Sequence, residues 1–165
     1  MMKLMKKFFC VFLVACICLA GVKAEYAQAK NLDKYFEYSK KDKLYNVHKM
    51  YKGMQFFNKG DSCVYQVMKM TKNKISMRRL IKVVDSDDPV FGGKSKTYAL
   101  SSNCKFYYRN VTFPCDSKKG IAYYKRIPRK IVQKTLQPGV NVAKFYGAVY
   151  AKKGKVVAIA CDGGD

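Results

Sequence analysis

The sequence contains no tryptophan, a single histidine (His48) and only 11 Asp or Glu against 33 Lys or Arg. One imidazole per chain excludes a two-histidine acid–base pair and any multi-His metal site within one subunit. No GxSxG, HExxH or CxxC occurs. Nucleophile-elbow hydrolases and zincins therefore lack their motifs, and a Cys/His zinc set of standard spacing cannot be completed. Gly93-Lys94-Ser95 matches the end of a phosphate-binding P-loop, but Asp88 holds the first glycine position, so the triplet reads as a turn. The one carboxylate cluster is Asp85-Ser86-Asp87-Asp88. Val90 stands where a calcium loop needs glycine and Lys96 where it needs an acid, which leaves an acidic surface loop. No cofactor and no metal are implied.

Long apolar runs are also scarce: there is one, at 8–22, after Lys3, Lys6 and Lys7 and before the small-residue end Val22-Lys23-Ala24. About 15 residues is short of the roughly 20 that span a bilayer, and the layout is that of a secretory signal. Residues 1–24 are expected to be a signal peptide and 25–165 a single secreted domain. Leu13-Val14-Ala15-Cys16 resembles a lipoprotein cleavage box, but the chain stays apolar after that cysteine. Removing 1–24 takes away four lysines, three cysteines and no acid. The mature 141 residues carry 29 basic and 11 acidic groups, a formal +18.

The remaining cysteines are Cys63, Cys104, Cys115 and Cys161. In an oxidising compartment an even four predicts two disulfides, with three pairings open.

Apolar spacing over 31–52 is helical but interrupted. Ser39-Lys40-Lys41-Asp42 has capping-box form, so one or two short helices are expected before Gly53. His48 falls on the apolar face, as a packed and hydrogen-bonded residue. After Gly53 the texture is β, with strands predicted at 62–70, 75–84, 96–100, 104–113, 121–127, 129–136, 140–150 and 155–161. Turn signals separate them, among them Gln137-Pro138-Gly139 and Lys152-Lys153-Gly154. The fold class expected is mainly β (α+β): an antiparallel barrel or strongly curved sheet of seven or eight strands after the short helices. A barrel interior would offer a cavity, but the Gly-x-Trp start of lipocalins and the Gln-x-Val-x-Gly loop of cystatins are absent.

Asn110-Val111-Thr112 is a glycosylation acceptor in a secreted chain. Asn110 shares the face of Cys104, Phe106 and Tyr108 by period two, and that face looks buried. Use of the site therefore requires a bend near Arg109.

The strongest functional signal is the uneven charge. From Ser117 to Cys161 there are eleven Lys or Arg and no acid. Lys118, Lys119, Lys125, Arg126, Arg129 and Lys130 crowd two turns, and Lys152, Lys153 and Lys155 sit on the last hairpin. These nine are the candidate anion-binding residues, the arginines as bidentate forks and the lysines as point charges. A third group, Lys72, Lys74, Arg78, Arg79 and Lys82, lies on the first strand pair. The partners expected are an extracellular anionic polymer (glycosaminoglycan or polyphosphate) or an anionic phospholipid surface. Nucleic acid is the least natural anion for a secreted chain, and a monomer is expected.

A signal peptide, a small basic mature domain, four cysteines and no catalytic motif together resemble the salivary effector proteins of blood-feeding arthropods, of the black-fly erythema (vasodilator) type. That resemblance, which is one of layout, implies action on host vessels, platelets or clotting through a receptor, channel or clotting factor. A venom toxin shares the layout. The primary expectation is a secreted, non-enzymatic binding protein with a basic surface. The alternatives are a host-directed vasodilator or anticoagulant and a secreted nuclease built on Asp residues or a metal.

Overall fold

A computed structural model of the chain describes residues 32–54, 64–83, 89–137 and 145–163. The signal-like segment 1–24, Cys63 and the acidic loop at 85–88 lie outside these residues. Strands form at β1 (Leu44–Tyr45), β2 (Val64–Met70), β3 (Lys74–Val83), β4 (Pro89–Arg109), β5 (Cys115–Asp116), β6 (Ile121–Ala122), β7 (Tyr124–Ile127), β8 (Tyr146–Lys152) and β9 (Lys155–Asp162). Two short α-helices join them, α1 (Val47–Met50) and α2 (Arg129–Thr135). Among the described residues no helix is long and apolar enough to cross a membrane.

The mainly β class is as the sequence predicts, but the sheet is mixed rather than antiparallel. Seven strands run in the order β1-β7-β4-β3-β2-β8-β9, and β5 with β6 forms a separate two-stranded piece. β4 also pairs with β9, in parallel, from Ala99↔Lys155 to Arg109↔Asp162. That pairing closes a ring through β4, β3, β2, β8 and β9 without making a barrel, because β7 and β1 continue the sheet outside it. Register shifts in β2–β3, β3–β4, β4–β9 and β8–β9 supply the curvature, since each extra residue bends the strand that carries it.

Three local expectations change for identifiable reasons. The predicted strands 96–100 and 104–113 are one strand. The residues between them form an irregularity in β4, where Leu100↔Val156 is followed by Lys105↔Ala158. The predicted strand 129–136 is the helix α2. Ile131, Val132 and Thr135 are its buried residues, and the i, i+1, i+4 spacing gives one apolar helical face. The predicted helix from Ser39 stops at a capped turn: Ser39 N donates to Asp42 Oδ2 at 2.8 Å and Asp42 N to Ser39 O at 2.8 Å. Leu44 and Tyr45 then pair with Lys125 and Tyr124 of β7, and helix returns only at α1, capped by Asn46. The Gly93 triplet is likewise a bulge within β4 rather than a turn.

Both faces of the sheet are covered. One buries Phe106, Tyr108, Val149, Ile159 and Cys161 together with Leu32, Phe36, Ile131 and Val132. The other buries Tyr107, Ala148, Tyr150, Ala158 and Ala160 under Val47 of α1. The period-two alternation of β8, β9 and the Phe106–Tyr108 stretch of β4 serves both cores at once, which is why these stretches read as near-continuous apolar runs. Gly147 makes the β8–β9 approach possible, because a methyl group there would overlap the Ala160 carbonyl.

The two predicted disulfides are not present among the described residues, where Cys104, Cys115 and Cys161 are free thiols. Cys161 is in register with Tyr108, four residues along β4 from Cys104. That is about 13 Å of strand, beyond the roughly 7 Å between Cα atoms that a bridge tolerates. Cys104 and Cys161 instead serve as small apolar packers in the first core. Burial pushes the Cys104 thiol up to about 12, against the pull of Arg129, and raises Cys161 well above its ordinary value.

Two outcomes follow. Alkylation of the native protein, mapped by peptide mass, is expected to mark the exposed Cys115 and to spare Cys104 and Cys161 until denaturant is added; native labelling of Cys104 or Cys161, or a bridge among the three, would refute this packing. Gly147→Ala is expected to cost about 3 kcal/mol by overpacking, read as a lower urea midpoint.

Candidate anion-binding surface

The nine basic residues singled out from the sequence divide into three environments. Lys125 is the most committed of them. It is 8% exposed, and its ammonium donates to the Glu37 carbonyl and to Asp42 Oδ2, the latter at 3.2 Å. β7 carries it inward opposite Tyr108, so it anchors the 37–42 turn instead of facing an external anion. Arg129 is also engaged. Its Nη1 donates to the carbonyls of Ser101 (3.4 Å) and Ser102 (3.2 Å), and its Nη2 to those of Thr71 (3.0 Å) and Lys72 (2.6 Å). A planar guanidinium can bridge two loops in this way and an ammonium cannot.

Lys118, Lys119 and Arg126 are exposed, and Arg126 pairs with Tyr107, eight residues along β4 from the Ala99 that meets the last hairpin. Lys118 and Lys119 occupy a 3-10 turn at Ser117–Lys119, where Lys119 pairs with Asp116 at 3.4 Å. Lys130, Lys152, Lys153 and Lys155 are exposed at the hairpin end. The two main sequence clusters are thus not brought together as one face.

The hairpin cluster meets a different neighbour, the turn between β2 and β3. Lys74 is in register with Ala99, Ala99 with Lys155, and Lys155 with Lys152. Directly paired residues share a face, and all four are exposed. This sets three lysines in one row across four adjacent strands, about 5 Å per strand. Lys72 and Lys153 flank the row on the two turns, and Lys130 lies beside it through the Arg129 bonds.

The described acids lie elsewhere. Asp42 pairs with Lys125, which also bonds the Glu37 backbone carbonyl, Asp162 is paired with Arg109, and Asp116 with Lys119. Asp33 belongs to the turn of Phe36, whose ring meets Tyr108 at 4.9 Å. Along β9 the seven residues from Lys155, opposite Ala99, to Asp162, opposite Arg109, put roughly 23 Å between that end and Ala99. Among the described residues, no acid is near the lysine row.

A second polar cluster, not recognised in the sequence, ties α1 to the sheet. Tyr150 OH lies 2.5 Å from His48 Nδ1, His48 Nε2 lies 3.1 Å from Tyr124 OH, and Tyr124 OH donates to Asp162 Oδ1 at 3.1 Å. One assignment satisfies every link: Tyr150 donates to Nδ1, Nε2–H donates to Tyr124, and Tyr124 donates to Asp162. Burial and the neighbouring Asp162 hold the Tyr124 phenol well above its usual range. Burial raises the Asp162 carboxyl, against Arg109 and the Tyr124 bond. Both imidazole nitrogens are occupied, so His48 is hydrogen-bonded as expected, but it is exposed rather than packed in a core. Its partners stand 76 and 102 residues away; only strand register brings them to one helix, and no local motif marks them.

Asn110 stands just past the end of β4, half-buried. Its Oδ1 accepts from Thr112 N at 3.1 Å and Thr112 Oγ1 at 2.7 Å. The chain therefore does turn after Arg109, out of the buried face that carries Cys104, Phe106 and Tyr108.

No family model, no curated protein and no solved structure matches the chain.

Arg129→Ala is expected to lower stability by about 2 kcal/mol, since four carbonyls lose a charged donor and water replaces it only in part. Arg129→Lys should recover less than half of that loss in urea titrations. Full recovery by lysine would show that the charge alone, and not the fork, matters.

Proposed function

We propose that the protein is a secreted, non-enzymatic binding protein that engages anionic polymers or anionic membrane surfaces through the lysine row at the hairpin end of the sheet. The observation that supports this reading is charge segregation by strand register. Lys74, Lys155 and Lys152 stand in one row, with Lys72, Lys130 and Lys153 around them, while Asp162, Asp116 and Asp42 pair with Arg109, Lys119 and Lys125. A basic group beside a carboxylate adds little to a long-range field. A row of exposed lysines without one presents several like charges at a spacing that a polyanion can neutralise together. Each lysine close to an anionic surface contributes about 1 kcal/mol, and the counterions released make affinity fall steeply with salt.

The site differs from the one the 118–130 cluster suggests. Of that cluster only Lys130 belongs to it, and Lys72 and Lys74 take the place of Lys118, Lys119, Lys125 and Arg126.

Heparin chromatography tests this directly. The wild type is expected to elute well above about 0.15 M salt, where dispersed surface charge is already screened. Lys74→Glu/Lys152→Glu/Lys155→Glu should elute much earlier, and the charge-matched control Lys118→Glu/Lys119→Glu/Arg126→Glu should shift far less. Equal shifts per residue, or elution of the wild type at or below that salt, would overturn the assignment.

A further inference from the structure

A separate concave site lies on the β2–β3–β4 part of the sheet, at the Gly93 bulge. Register passes from Met77↔Lys96 to Arg79↔Gly92, so three residues of β4 stand against the single Arg78. Gly93 takes φ +76° to make this bulge, a conformation that disfavours side chains with a Cβ. The backbone is thereby pushed away from β3 and leaves a cleft of about 300 Å³, at the small end of the range for ligand sites.

The cleft has two chemically distinct halves. Its floor is Met77 and Tyr65, each 1% exposed, with the half-buried Tyr98 meeting Tyr65 edge-on at 6.3 Å between ring centroids. Its rim carries Arg79, Lys94 and Lys96, and no acid is among its described lining residues. Inorganic phosphate or sulfate would engage the rim and leave the half-buried Tyr98 ring wet. A neutral aromatic would cover the apolar wall and leave the Lys94 and Lys96 ammonium groups unmatched. Only an anion attached to an aromatic body answers both halves: a ring suits the thioether and the tyrosine edges, and the acid suits the lysines and the arginine fork.

We infer that the Gly93 cleft binds a small aromatic anion, its ring against Tyr98, above the buried Met77 and Tyr65, and its acidic group between Lys94, Lys96 and Arg79. The site is independent of the lysine row at the hairpin end. Burial raises the Tyr98 pKa above its ordinary value, which keeps its phenol a neutral member of the wall.

Phenyl phosphate, inorganic phosphate and phenol, titrated into the full mature chain and followed by backbone amide shifts, test the site. Saturable binding of phenyl phosphate is expected, with shifts centred on 92–98 and an affinity at least about tenfold above that of either fragment. Lys94→Glu/Lys96→Glu should abolish it, and Tyr98→Ser, which keeps the cations, should weaken phenyl phosphate while leaving inorganic phosphate unchanged. Lys74→Glu/Lys152→Glu/Lys155→Glu should leave phenyl phosphate binding intact, so failure of the cleft and failure of the polymer surface are told apart. Equal affinity for phosphate and phenyl phosphate, shifts centred on 152–155, or no saturation would overturn the inference.

Discussion

Parallel pairing of β4 with β9 is the constraint on which the other features rest. β4 is 21 residues long, enough to hold β3 along its first half and both β7 and β9 along its second. A parallel partner cannot arrive by a hairpin, so the chain from 110 to 154 must leave β4, build the β5–β6 piece, β7 and α2, and return through β8. The return closes the ring and leaves no free edge on the central strands. It also covers the sheet on both faces, one under Leu32, Phe36 and α2, the other under α1. Two-sided cover gives the buried Cys104 and Cys161 a packing role in place of bridges. Cys104 and Cys161 sit where any small apolar residue would, and the closed pairing supplies cross-links that a small open sheet would otherwise need from sulfur.

The same register determines which charges are available. At one end Arg109, Lys119 and Lys125 face Asp162, Asp116 and Asp42. At the other, Lys74, Lys155 and Lys152 align without a described acid near them. Formal charge counts both ends alike. For an approaching polyanion they differ, because a cation beside a carboxylate loses most of its field within a Debye length of about 8 Å. The useful quantity is the unopposed basic row, and it is a property of strand order.

How far the sequence foretold this depends on the range of the interaction. Period-two patterns located most of the strands of the main sheet, and turn residues such as Lys153-Gly154 marked the last hairpin, because both signals are local. The run Ile131-Val132 carries β-branched residues that favour strand in isolation, yet no strand is left to pair there and the face with Thr135 buries as helix. Leu44 and Tyr45 were drawn out of a helical pattern by β7, some 80 residues away. Among candidate site residues, the exposed hairpin lysines were legible. The commitments of Lys125 and Arg129 were not, because their partners are carbonyls and a carboxylate distant in sequence. The His48 chain was invisible for the same reason.

Arg129 illustrates how a basic residue can serve an anion surface without touching the anion. Its fork joins the Thr71–Lys72 carbonyls to those of Ser101 and Ser102, and Leu100 N bonds Asn73 O alongside at 2.8 Å. These bonds hold the β2–β3 turn against the irregular stretch of β4, at the level where Ala99 meets Lys155. Lys72 and Lys74 belong to that turn, and their ammonium groups repel each other and Lys155. Left untethered, the turn would relieve the repulsion by swinging away. The guanidinium adds a further positive charge, but it spends its donors on backbone oxygens and so holds like charges in a row that electrostatics alone would disperse. Pre-organisation of this kind reduces the ordering cost that a flexible basic loop would bear on binding. It also accounts for an arginine at the start of α2, where a lysine would supply equal charge but no clamp.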